Sequence, residues 1–343
     1  MNITFFTPSF APYKGGVEKH LDKIINCFIL DNHSVNLFCL RPHSPSKKSK
    51  NFNVHYNALY KNGLQFRISI LCTFICNFKT IFKTDVFHFQ DQVSFDYYYP
   101  FVRFFNFFLK KPLYITYHGW EGIFPPENKE IHKRANSSKI CNANLCIGDF
   151  IGKWYNLSPD IVSYGGVDIY EIKSNVNKNK FLFVGRLEND TGIIEYINAF
   201  IVFNGQNNNN YFLNICGDGS LREKIISIIS NEDQIHLIGF VDEIETEIQN
   251  SNVILTSGYL GILESFSFKK NVIATHDHAL KEDYLKGINN YDSIFWVIEN
   301  DVYELSKAMN EATQENRGIL AYDFAKNNTW EILKNKHYKL YNI

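Results

Sequence analysis

The chain has 343 residues, enough for two domains of ordinary size, and its 45% hydrophobic and 21% charged residues exclude an intrinsically disordered protein. The formal net charge of -1 conceals an asymmetry: residues 1–168 carry 19 Lys and Arg against 12 Asp and Glu, and the remainder 16 against 24, so the halves face different partners. Seven cysteines, an odd number without a C-x-x-C pair, suggest neither a disulfide framework nor a zinc site, and a reducing cytoplasm is the expected compartment. No basic leader precedes the first strand, and the longest apolar stretch, 68–78, is about half of a bilayer span, so neither a signal peptide nor a transmembrane helix is expected.

In chain order, a strand is expected at 3–6, then a loop with Pro8, Pro12, Gly15 and Gly16, and a helix over about 17–30. Gly15 and Gly16 ahead of a helix let a ligand approach unpaired backbone N–H groups; the bland alternative is a flexible loop. A strand at 34–40 leads into a polar basic loop, 41–53. From Arg41 to Lys83 there are eight Lys or Arg and no acidic residue, interleaved with an apolar, aromatic helix pattern; 101–111 repeats this with Arg103, Lys110 and Lys111 amid five phenylalanines. Cationic amphipathic helices of this kind suit an anionic membrane surface, unless the phenylalanines are core and the charges a solvated face. Nucleic acid is disfavoured, because no recognition motif accompanies the charge.

Strands at 86–90 and 113–117 follow, the second running into His118, at the carboxyl end where open α/β sheets place their ligands. Short strands are expected at 144–147 and 161–164, and the polar run 173–180 reads as a linker. The second half alternates: strand 181–185, helix 192–203, strand 211–216, helix 221–230, strand 235–238, helix 242–249, strand 253–255, a loop at 256–261 before a helix carrying Glu264, strand 272–274, then helices. The order FLFVGRLENDTG at 181–192 reads as a buried strand, a tight turn at Gly185 and Arg186, and a helix start capped by Asp190 or Thr191. Alternating strands and helices imply a doubly wound parallel sheet in each half. Arg186, the Gly217–Ser220 loop, Gly239 with Phe240, and 258–264 then border one crevice, a plausible nucleotide site. The Gly217-Asp218-Gly219 element lacks the third glycine of a dinucleotide fingerprint, so a dehydrogenase is poorly supported. His276-Asp277-His278 reads as a polar loop rather than a metal site.

Eight pieces occur in the order of a known family: PYKGGVEKH (12–20), YHGWEG (117–122), YGGVD (164–168), FVGRL with Gly192 (183–192), ICGDGS (215–220), IGF (238–240), LES (263–265) and TWEILKNKHYKLY (329–341). Together they resemble the retaining GT-B glycosyltransferases of family 4. The resemblance implies an α/β GT-B fold of two Rossmann-like doubly wound domains facing a cleft: an acceptor-side domain at 1–168, a linker at 169–180, a donor domain at 181–325 and a helix at 326–343 crossing back to the first. It implies a nucleotide sugar, UDP- or GDP-linked, as co-substrate without a metal or other cofactor, and a glycan or lipid-linked acceptor. Separately, the cationic stretches 41–83 and 101–111 place the expected cytoplasmic protein peripherally at the inner face of the cell membrane. His118 and Arg186 become the catalytic candidates. Donor binding falls to Gly15, Gly16, Gly185, Arg186, Thr191, Gly217, Gly219, Gly239, Phe240, Gly258, Gly261, Ile262, Leu263 and Glu264. Two positions depart from the pattern: Thr191 stands where members carry a lysine, and Thr256 where they carry a glutamate, with the loop to Glu264 about two residues short. A catalytically silent relative that binds a sugar nucleotide or partner enzyme, or another GT-B enzyme such as an epimerase or phosphorylase, are the alternatives.

Overall fold

The computed structural model describes residues 1–13, 15–42, 51–58, 63–171 and 177–342. Much of the basic loop 41–53 and of the linker 169–180 therefore lies outside the described residues. Two compact units make up the chain: Met1–Ser163 with Trp330–Ile343, and Tyr164–Thr329.

The first unit is built on a seven-stranded parallel sheet. Its strands are β1 (Asn2–Thr7), β2 (Ser34–Cys39), β3 (Phe52–Tyr56), β4 (Val86–Gln90), β5 (Leu113–Tyr117), β6 (Ala143–Ile147) and β7 (Ile161–Ser163), in the order β3-β2-β1-β4-β5-β6-β7. Central strands β1, β4 and β5 are buried along almost their whole length, which is why they read as unbroken apolar runs: helices cover both faces of a parallel sheet. The helix Trp330–Tyr341 packs on the helix Gly16–Leu30 of this unit. Lys334 bonds Asp31 at 2.6 Å, and the Tyr341 hydroxyl meets His88 Nδ1 at 2.6 Å.

In the second unit the strands are β8 (Lys180–Val184), β9 (Phe212–Cys216), β10 (Ile235–Gly239), β11 (Val253–Leu255), β12 (Asn271–His276) and β13 (Trp296–Glu299), in the order β10-β9-β8-β11-β12-β13. Its core is continuous from Phe181 and Phe183 on β8 through Tyr196, Ile197 and Phe200 on the helix Ile193–Gln206 to Leu305 and Met309. Both sheets thus reverse direction of strand order beside their first strand, at β1/β4 and β8/β11, and such switch points open a crevice at the carboxyl edge.

Three expectations are corrected. Strands β3 and β13 replace segments read as loop and as helix; both are edge strands, which lack the continuous apolar run of a central strand. Neither Asp190 nor Thr191 caps the helix Ile193–Gln206, because a 3-10 turn, Asn189–Thr191, intervenes and Gly192, at φ 73°, becomes the cap. The helix with Glu264 begins at Tyr259, so the segment read as a loop to 261 is already helical there. Among the described residues no helix is long and apolar enough to cross a membrane.

Candidate functional site

In the first unit the carboxyl ends of β1, β4 and β5 bring three sequence elements together. After β1, Gly15 is the N-cap of the helix Gly16–Leu30 and is extended, and a Cβ there would lie 2.5 Å from Glu18 Oε2, so its lack of a side chain makes room for that carboxylate. Glu18 Oε1 accepts from Ser9 Oγ at 2.5 Å, and open space surrounds the position of a Gly16 Cβ. After β4, Asp91 accepts the His118 backbone N–H at 2.8 Å, and Gln90 Oε1 lies 2.7 Å from His118 Nε2. An amide oxygen only accepts, so Nε2 carries the proton and Nδ1 keeps its lone pair, with no protein partner among the described residues. Burial lowers the His118 pKa, against the pull of Asp91 and Glu18. At neutral pH this imidazole is therefore an uncharged acceptor, fit to orient a hydroxyl and not to neutralise an anion.

Two further groups support His118. His20, on the same apolar stripe as Leu21 and Ile24, meets the His118 ring edge-on at 4.7 Å. Arg134, from the helix Asn128–Ile140, holds the loop that follows His118: Nε and Nη2 bond Glu121 Oε1 at 3.1 and 2.6 Å, and Nη1 bonds the Gly119 carbonyl at 2.7 Å. Tyr155 closes the set by donating to Glu121 Oε2 at 2.5 Å while its ring stacks 4.0 Å from the guanidinium.

In the second unit Gly185, Gly217, Gly239 and the Gly258 turn all follow strand ends on one edge. Their glycines have separate physical causes. A Cβ on Gly217, at φ 157°, would fall 1.9 Å from the Gly185 carbonyl, and one on Gly219 2.5 Å from that of Leu187, so both are demanded by loop-on-loop packing. Gly239, at φ 86°, needs its conformation, and Phe240 beyond it is exposed. Gly261 makes room for Thr256, whose hydroxyl would sit 2.6 Å from a Cβ. Gly258 caps the helix Tyr259–Ser267. Ile262 and Leu263 lie in the core, with the Ile262 N–H spent on Gly258 O, so they offer a ligand no side chain. Glu264 is a buried carboxylate.

Arg186 follows Gly185 into this edge with its side chain 69% exposed and paired to Asp190 Oδ2 at 2.7 Å. The Ser220 N–H and hydroxyl are taken by the two oxygens of Glu188, at 2.8 and 2.5 Å, and these bonds lower the Glu188 pKa. The protein's own carboxylates thus occupy the groups best suited to bind an anion. Thr191 brings no charge: its hydroxyl donates to the Glu188 and Arg186 carbonyls at 2.7 and 3.0 Å. Its neighbour Asp190 also receives, at its carbonyl, the ammonium of Lys281 from the helix Ala279–Lys286. Sequence reading gave no role to His20, Gln90, Arg134, Glu188 or Lys281; His20 and Glu188 lie inside the quoted pieces 12–20 and 183–192, and the rule that loops after strand ends carry function pointed near Gln90 and Lys281.

Residues 168–329 match the family Glycosyl transferases group 1. Among solved structures, the chain is similar to a glycosyltransferase from Rickettsia africae, at 14% identity and a TM-score of 0.73 over 99% of this chain and 97% of that one. It is similar to Anabaena Alr3699/HepE, solved in complex with UDP and glucose, at 14% identity and a TM-score of 0.75 over 99% of each chain. The lipopolysaccharide outer core galactosyltransferase WaaB gives 16% identity and 0.68, again over 99% of each. At such identities the likeness establishes the fold: two Rossmann-like parallel-sheet domains of the GT-B type, as the resemblance implied. No sequence among curated proteins matches the chain.

Proposed function

We propose that this chain is a glycosyltransferase that moves a hexosyl unit from a UDP- or GDP-sugar to a hydroxyl of a glycan or lipid-linked acceptor, with retention at the anomeric carbon and, as in the family it resembles, without a metal ion. The observation that carries the reading is the convergence, on one sheet edge of a segment matching Glycosyl transferases group 1, of Gly185–Arg186, the 217–220 loop, Gly239–Phe240 and the helix start before Glu264. Departure of a nucleoside diphosphate builds negative charge, and preorganised cations and N–H groups stabilise it. Arg186 is the cation, and the Ser220 N–H group adds a backbone donor. A bound diphosphate exchanges with Asp190 and Glu188. Releasing Asp190 costs little, because a solvent-exposed ion pair is worth about 0–1 kcal/mol, and the Ser220 donors released by Glu188 pass to the phosphate oxygens. Glu264 accepts bonds from the ribose, and the family resemblance assigns neutral His118 to the reacting sugar.

Assay of a UDP-, GDP- and ADP-sugar panel tests the reading. Wild type turns over at least one donor, and Arg186→Ala lowers kcat/KM for it by roughly 10²- to 10³-fold, the range for removing one transition-state charge donor. Equal rates in the two proteins would remove Arg186 from the mechanism. A second reading, a relative that binds a sugar nucleotide without turnover, is favoured by Thr191, which is spent on backbone carbonyls, and by Thr256, which is 2% exposed. Tight UDP or GDP binding with no turnover of any donor decides for it.

Unit one also supports docking on an anionic membrane. The rings of Phe78, Phe82, Phe105, Phe104, Phe108 and Phe107 touch in succession at 5.2–6.4 Å, and Phe104, Phe107 and Phe108 are at least 66% exposed. Arg67, Lys79, Lys83, Arg103 and Lys110 are exposed on the same helices, Leu64–Cys76, Phe78–Lys83 and Asp91–Leu109, or at their ends. A contiguous apolar patch with a cationic border matches an interfacial surface. Sedimentation with phosphatidylglycerol vesicles should show binding that falls with salt and is lost in Phe107→Ser/Phe108→Ser; no binding at low salt would overturn it.

A further inference from the structure

The geometry points to Lys281 as the second cation of the diphosphate site, delivered from the helix Ala279–Lys286 in place of a lysine at position 191. The inference rests on the glycosyltransferase reading above and deepens it. After β12 the chain turns through His278, whose Nδ1 accepts the Lys281 backbone N–H at 3.2 Å and caps the helix. That cap sets Lys281 in the first turn, on the same sheet edge as Arg186. Its side chain crosses to the Asn189–Thr191 turn and donates to the Asp190 carbonyl. The ammonium thus ends one residue from Thr191 and within electrostatic reach of Arg186.

Lys281 is 3% exposed, and among the described residues no carboxylate lies within 4.0 Å of its ammonium. Asp277, Asp190 and Glu195 attract it from farther away, Arg186 repels it, and burial depresses its pKa. A cation taken out of water without an ion pair is destabilised until an anion arrives to offset the lost hydration. A nucleoside diphosphate that displaces Asp190 from Arg186 is such an anion, and it would then face two positive charges rather than one. Lys270 provides the contrast: it is also buried on a carbonyl, that of Gln249 at 2.7 Å, but it precedes β12 and so lies at the opposite sheet edge. Its bond is structural, which makes it the control.

Calorimetric titration of the full chain with UDP, GDP and ADP, and with the matching nucleosides, tests the assignment. Lys281→Gln keeps a donor for the Asp190 carbonyl and removes the charge. It should weaken the diphosphate that wild type binds by roughly 10- to 100-fold, as for loss of a charged hydrogen bond, and leave nucleoside affinity unchanged. Lys270→Gln should leave both unchanged, and Lys281→Gln/Thr191→Lys should recover most of the diphosphate affinity by returning the charge from the family position. Unchanged diphosphate affinity, or equal losses for diphosphate and nucleoside, would overturn the assignment and leave the glycosyltransferase reading standing. Wild type binding none of the three diphosphates would overturn both. Should Lys281→Gln fail to fold, Thr191→Lys in the wild type decides: a gain under about 3-fold fits a site already supplied with its second charge, and a tenfold gain does not.

Discussion

His337, on the last helix, makes the stability of the first unit depend on pH in a calculable way. Its ring is buried against Phe28, His88 and Tyr341, and Nδ1 donates to the Leu333 carbonyl at 2.9 Å. Burial pushes its pKa down to about 4, against the opposing pull of that carbonyl, with the nearby His118 lowering it further. In the unfolded chain an imidazole titrates near 6.5. Between those values the unfolded state binds more protons than the folded one, so stability is fully present above 6.5 and is lost as pH falls toward 4. At about 1.4 kcal/mol per pH unit the loss from His337 alone is about 2 kcal/mol at pH 5 and about 3 kcal/mol at pH 4. His337→Leu removes the titration at small structural cost, because the Leu333 carbonyl keeps its helical N–H partner. Urea unfolding at pH 7, 6 and 5, followed by Trp330 fluorescence with Trp120, Trp154 and Trp296 replaced by Phe, reports on this unit. The difference between variant and parent should shift by about 2 kcal/mol in favour of His337→Leu from pH 7 to pH 5. Burial is the main cause that lowers the pKa of His20 and His88, but His337 lowers both further, so its removal relieves them in the same direction and adds to the difference. Parallel pH profiles would refute the reasoning.

Further outcomes follow from single contacts. Arg134→Met removes both donors from Glu121 Oε1 and the Gly119 carbonyl bond; because Glu121 is exposed and keeps Tyr155, the loss should be about 1.5–3 kcal/mol, read as a drop in Tm, whereas Tyr155→Phe should cost about 1–2 kcal/mol. Gly217→Ala forces a Cβ against the Gly185 carbonyl at a φ that L-residues avoid, and chemical denaturation should show a loss of about 2 kcal/mol or more. Asp190→Asn frees Arg186 from an exposed pair and should tighten UDP or GDP binding by at most about 5-fold in calorimetry; weaker binding would mean that Asp190 positions the arginine rather than competing with the ligand.

The central strands were legible because a strand with both faces covered has to be apolar throughout, as in 86–90 and 181–184. What escaped was polar or at an edge. Phe52–Tyr56 and Trp296–Glu299 pair on one side only, so their patterns are diluted by half-buried residues and, in the second, by exposed Glu299. The helix Asn128–Ile140 buries only Arg134 and Ser137, and hydrophobic periodicity has nothing to detect there although Arg134 anchors the loop after His118. At the site, glycines and Arg186 announce themselves by residue type and spacing. Lys281 does not, because its relation to Thr191 is created by the pairing of β11 with both β8 and β12, which no local window contains.

The chain enters the second unit after Ser163 and leaves it before Trp330, and Val167 bridges Thr329 with its N–H on the Asn328 carbonyl at 3.0 Å. The later-made domain is therefore contiguous, while the earlier one is not. During synthesis the first seven strands emerge long before the helix that buries His88 and Phe28, and they wait with that face bare until residues 330–341 follow. A nascent chain released before Trp330 would carry an intact second lobe and a first lobe with an uncovered aromatic face, the kind of surface that chaperones and proteases recognise.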